Sequence, residues 1–132
     1  MIYGKDKYIL YLKGNALNFQ DKFEKALECL EESEMLGYDS PSLYHNMGCA
    51  WFYLENHEKA YEYFKLSAEG NPEDFIFISN ISKITFLLEK YEESLHYIEK
   101  ALKLDEKNEE IISLKKIVEE EMEINNIQPD TN

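Results

Sequence analysis

The chain has 132 residues, 44% of them hydrophobic, enough for one domain or one short repeat array, and its few Gly (5) and Pro (3) favour long helices with short connections. Its formal charge is −13, from 27 acidic residues against 14 lysines and no arginine, which argues against nucleic acid and against an anionic membrane surface as partners. The charge is spread as −3 over 1–40, −4 over 41–74, −1 over 75–108 and −5 over 109–132, which suits a well-solvated outer surface or a basic partner.

Ile2 to Leu12 includes apolar residues, but Lys5, Asp6 and Lys7 interrupt them and no small-residue cleavage site follows. No stretch approaches the roughly 18 apolar residues of a membrane span. Two cysteines, Cys29 and Cys49, do not make a disulfide framework. A reduced, cytoplasmic compartment is expected.

After a lead-in over 1–6, apolar residues recur at three- and four-residue spacing in paired blocks, each about 14 residues long, as amphipathic helices require. The breaks within pairs are polar: Gln20-Asp21-Lys22, Glu55-Asn56-His57 and Glu89-Lys90. The pairs define units over 7–40, 41–74 and 75–108. Gly37 ends one helix, and Ser40-Pro41 supplies an N-cap followed by Pro at the first helical position. Gly70-Asn71-Pro72 stops the next helix, with Asp74 as the cap of the one after. Asn108 caps a last helix over 109–125, whose Glu109 and Glu110 suit the positive end of its dipole. Ile111, Ile112, Leu114, Ile117 and Val118 lie on one side of it, and Glu119, Glu120, Glu121 and Glu123 on the other. From 126 to 132 the composition is polar and includes Pro129, which predicts a disordered tail.

The units share a register. The middle one carries Tyr44, Met47, Gly48, Trp51, Ala60, Phe64, Ser67 and Pro72. A step back of 34 positions meets Leu10, Gly14, Leu17, Ala26, Leu30 and Ser33, and a step forward meets Ile78, Ile81, Ser82, Ser94, Ile98 and Ala101. Gly48 and Ala60 are expected where the two helices of a unit cross, because a mid-helix glycine costs about 1 kcal/mol and implies close packing. Gly14 with Ala26, and Ser82 with Ser94, take the same parts in the outer units.

This pattern resembles that of the tetratricopeptide repeat family, with Gly14, Ala26, Tyr44, Gly48, Trp51, Ala60, Phe64, Pro72 and Ala101 as signature positions. Lys13, Tyr38, Thr85 and Glu106 depart from it, as weakened outer repeats do. The resemblance implies an all-α, right-handed α-solenoid of three helix-turn-helix repeats, with residues 109–125 as a C-terminal capping helix.

It also implies a concave groove lined by the first helix of each repeat. Position by position, that groove takes Tyr8, Tyr11, Asn15 and Phe19 from the first repeat. The second gives His45, Asn46, Cys49, Phe52 and Tyr53, and the third Ile76, Asn80, Lys83, Phe86 and Leu87. Such a groove is aromatic, with amides that can donate to and accept from a peptide backbone, and Lys83 is its one formal charge. Co-chaperone repeats of this family grip a C-terminal carboxylate with two Asn and several cations. Asn15 and Asn46 match the two Asn, but Tyr11, Ile76 and Asn80 stand where the cations belong, so a buried carboxylate would lack a charge partner.

No set of residues suggests catalysis, a metal or a cofactor. His45, His57 and His96 fall on three different elements, and no glycine-rich phosphate loop is present. Cys49 with His45 forms an i, i+4 pair that could be a metal half-site or a nucleophile with a base, without an evident third partner. The expected function is that of a non-catalytic adaptor or scaffold binding a protein or peptide partner in its groove. The alternatives are a small acidic chaperone holding an aggregation-prone client and, in another class, a thiol enzyme using Cys49 and His45.

Overall fold

The computed structural model of the chain describes residues 5–127. Residues 1–4 of the expected lead-in and 128–132 of the expected tail lie outside them. The described residues form seven helices and no strand, and the chain divides into two compact units, Met1–Gly70 and Asn71–Asn132.

The first unit holds α1 (Lys7–Phe19), α2 (Phe23–Met35), α3 (Pro41–Tyr53) and α4 (His57–Gly70). Asp6 caps α1, its carboxylate accepting from the Tyr8 and Ile9 amides at 2.8 and 2.9 Å, and the Ser40 hydroxyl accepts from the Ser42 amide at the start of α3. Each cap satisfies amides that the first helical turn leaves without carbonyl partners. α1 packs on α2, α2 on α3 and α3 on α4. Ala26, Leu27, Leu30, Leu43, Met47 and Ala50 form the core, with Tyr11, Tyr38, Tyr44 and Trp51 packed against it. Ser33, fully buried, donates to the Lys7 carbonyl at 2.6 Å and ties the start of α1 to α2.

The small residues allow close crossings. A Cβ on Gly14 would stand 2.6 Å from Leu30 Cγ and 3.2 Å from the Ala26 carbonyl oxygen. One on Gly48 would stand 2.6 Å from Phe64 Cδ1. The side chain that fills the space over Gly48 is therefore Phe64, one turn beyond Ala60.

The second unit holds α5 (Phe75–Leu87), α6 (Tyr91–Leu104) and α7 (Glu109–Ile124). Asp74 caps α5 and Asn108 caps α7 through side-chain oxygens. α5 packs on α6 and α6 on α7. At the crossing of α5 and α6, serine replaces glycine: Ser94 Oγ donates to the Ser82 carbonyl at 2.8 Å, so close approach is held by a buried hydrogen bond. Thr85, in the aromatic's place, is fully buried and donates to the carbonyls of Ile81 and Ser82.

The apolar seam of α7 is narrower than its sequence suggests. Ile111, Val118 and Met122 are buried, whereas Ile112 and Ile117 are exposed. At about 100° per residue, Ile112 and Ile117 sit roughly a third of a turn to either side of that seam. Lys115, Lys116 and Glu119 stand 34 positions after the buried Ile81, Ser82 and Thr85. Charges therefore occupy the side on which α5 receives α6.

The turns inside the helix pairs share one device. Asp21, Glu55 and Glu89 have φ of 59°, 64° and 59°, a left-handed conformation that usually selects glycine. At each, the amide of the left-handed residue and the next one return to the end of the preceding helix: Asp21 to Asn18 and Lys22 to Leu17, Glu55 to Phe52 and Asn56 to Trp51, Glu89 to Phe86 and Lys90 to Thr85.

Candidate functional site

Within the first unit, α1 and α3 lie in contact, and a cavity of about 360 Å³ is lined by residues of both helices and of the turn after α1. Six of the expected groove residues line it: Asn15 and Phe19 from α1, and His45, Asn46, Cys49 and Tyr53 from α3. Three further residues join them: Asn18, Asp21 and Phe23. Asn18 was legible in principle, since it lies one turn after Asn15 on the same helix face. Asp21 and Phe23 reach the cavity because the left-handed turn at Asp21 brings the start of α2 beside it.

Polar groups and rings share the lining. Asn18 Nδ2 donates to the Asn46 backbone carbonyl at 2.9 Å, and Asn18 Oδ1 is buried without a donor. The Phe23 and Tyr53 rings stack with centroids 4.7 Å apart and 12° between planes. Phe19 is 84% exposed. Asp21 is the one formally charged residue in the lining, and no lysine is present there.

Cys49 and His45 do meet, with Sγ 3.5 Å from Nε2. Burial pushes the Cys49 thiol up to about 11, which favours its protonated form. The His45 ring also leans on Phe64, centroids 5.9 Å apart. Among the described residues no group of three or more His, Cys, Asp or Glu could hold a metal ion.

The other expected groove residues lie elsewhere. Tyr8 and Tyr11 cluster with Tyr38, the Tyr11 and Tyr38 centroids being 5.1 Å apart, and Tyr11 belongs partly to the core. Phe52 stacks on His57 at the α3–α4 turn. On α5, Ile76 and Leu87 are exposed, while Asn80 and Phe86 are half-buried. The Lys83 ammonium pairs with the Glu110 carboxylate of α7, so the one cation expected in the groove is already neutralised.

No curated protein matches the chain in sequence. Solved structures do resemble it. The first TPR domain of Spaghetti (RPAP3), bound to the HSP90 peptide SRMEEVD, is 23% identical with a TM-score of 0.77, covering 92% of this chain and 99% of that one. YrrB, a TPR protein with an unusual peptide-binding site, is 16% identical with a TM-score of 0.85, covering 89% of this chain and 60% of that one. The Sgt2 TPR domain from Aspergillus fumigatus is 18% identical with a TM-score of 0.76, covering 96% and 87%. The tetratricopeptide repeat model itself matches residues 8–36, 41–74 and 78–108, the stretches occupied by the three helix pairs. With its helix pairs, small-residue crossings and three matched repeats, the chain belongs to the tetratricopeptide repeat family.

Proposed function

We propose that the chain is a non-catalytic protein-interaction module, an adaptor or scaffold, that holds a peptide segment of a partner protein in the cavity between α1 and α3. The observation that carries this reading is the lining itself: amide side chains from both helices beside the stacked Phe23 and Tyr53 rings. Rigid rings offer contact area at low entropy cost, and amides can match both the donors and the acceptors of an extended backbone. RPAP3 TPR domains have been solved with an HSP90 and an HSP70 peptide, which supports peptide binding as the use of the fold. The protonated Cys49 supports a role without catalysis. On α5, Ile76, Asn80, Lys83, Phe86 and Leu87 form a second contact surface in this reading. Two free cysteines and the absence of a described helix able to cross a membrane are consistent with a cytoplasmic module.

Amide chemical shifts of the isotope-labelled chain, titrated with a binding peptide, test the placement. Shifts concentrated at Asn15, Asn18, His45, Asn46 and Cys49 are the expected result. Shifts confined to the outward residues of α2 and α4 would move the site to the acidic outer surface.

A further inference from the structure

Resting on that peptide-binding reading, we infer that the α1–α3 cavity selects a cationic side chain, Lys or Arg, of the bound segment, and disfavours an acidic one. Two observations in the lining converge on a cation. Its one formal charge is the Asp21 carboxylate, and no lysine stands among the lining residues to receive an anion. Its walls include the Phe19, Phe23 and Tyr53 rings, whose faces attract a cation through the ring quadrupole. A carboxylate entering the same cavity would lose its water and gain no cation.

The surrounding charge acts in the same direction. The first two repeats carry −3 and −4, a field that draws basic segments and repels acidic ones before contact. Asp21 holds its place by backbone geometry: at φ 59° it sits in the left-handed turn that closes α1, and its short side chain adds little flexibility. An RPAP3 domain of the same fold was solved with the acidic peptide SRMEEVD.

The test is a positional-scanning library of terminally blocked decapeptides, binding to the full chain read by fluorescence anisotropy. At one position, pools fixed as Lys or Arg should bind about tenfold better than the pool fixed as Gln, and the Glu pool should be weakest. Asp21→Asn keeps a residue that tolerates the left-handed backbone, and Asp21→Gly suits that backbone better still. Both should fold as the wild type does and reduce the Lys-over-Gln preference to below about threefold. If Gln or Glu pools bind best, or the Lys preference survives both variants, the inference is wrong while peptide binding stands. If no pool binds, or binding ignores Asn46→Ala, the groove reading itself falls and the inference falls with it.

Discussion

Gly48 and Phe64 lie so close that a Cβ on the glycine would stand 2.6 Å from Cδ1 of the ring. Phe64 is 4% exposed, so its ring has no room to withdraw. Gly14 and Leu30 repeat the relationship 34 positions earlier, at the same 2.6 Å. Alanine at position 48 would gain about 1 kcal/mol of helix propensity, but overpacking costs roughly 1–3 kcal/mol. Gly48→Ala should therefore lower stability slightly, and Gly48→Leu should cost several-fold more or prevent folding. Thermal melts followed by circular dichroism check this, and a Gly48→Leu melt equal to wild type would contradict the crossing.

The left-handed residues offer the reverse experiment. A side chain at Glu55 or Glu89 pays the steric cost of positive φ, about 1–2 kcal/mol, part of which glycine returns as unfolded-state entropy. Glu55→Gly and Glu89→Gly should each stabilise by roughly 0.5–1 kcal/mol. In urea unfolding the midpoint should rise with an unchanged slope. A lowered midpoint would mean that the glutamate side chains make contacts worth more than the strain.

Much of the fold was legible because it is written in repeated side chains. The 34-residue register, the small residues at the crossings and the caps at Ser40, Asp74 and Asn108 are local patterns with local causes. The left-handed turns were not legible, since Asp21, Glu55 and Glu89 stand where glycine is the usual signal, and the tertiary crossing overrides their preference. Of the cavity lining, Asn15, Asn46, Cys49 and Tyr53 follow from the groove positions that the family resemblance implies. Phe52 and Tyr11 do not line the cavity because His57 and Tyr38 engage their rings, contacts between separate elements that spacing does not reveal. Nor does the sequence reveal that Glu110 pairs with Lys83.

Acid titration should report on Glu34. Burial first, then the nearby Glu31 and Asp39 carboxylates, raise its pKa above the ordinary 4.5. The folded state therefore favours the protonated form. Its contribution is fully present below the unfolded pKa and is lost as pH rises through the higher folded value. Glu34→Gln should be more stable than wild type at neutral pH, and that advantage should shrink as pH falls through the raised folded value towards 4.5. Chemical denaturation at a series of pH values measures the difference. A variant less stable than wild type at neutral pH would show that the Glu34 charge is stabilising.

Truncation after Asn108 removes α7 and with it the buried Ile111, Val118 and Met122. The α6 surface around Leu95 and Leu102 then meets water, and Lys83 loses its Glu110 partner. Because each helix pair leans on its neighbours, the loss should fall mainly on the third repeat. New self-association by light scattering and a lower melting temperature are expected. A truncated chain that stays monomeric with an unchanged melt would show that α7 does not cover this face.

The peptide cavity is tested most directly by one titration: a binding peptide against wild type, Asn46→Ala and Glu62→Ala, each at low and high salt. Asn46 lines the cavity, while Glu62 lies exposed on α4 beside Lys59. Loss of the Asn46 amide leaves peptide backbone groups unpaired, roughly 1–3 kcal/mol, so affinity should fall about tenfold or more. Glu62→Ala should bind as wild type does. Salt should weaken binding only modestly, since Asp21 is the single formal charge in the lining and Lys83 is paired. Wild-type affinity in Asn46→Ala, together with binding abolished by salt, would contradict the account and place the site on the acidic outer surface.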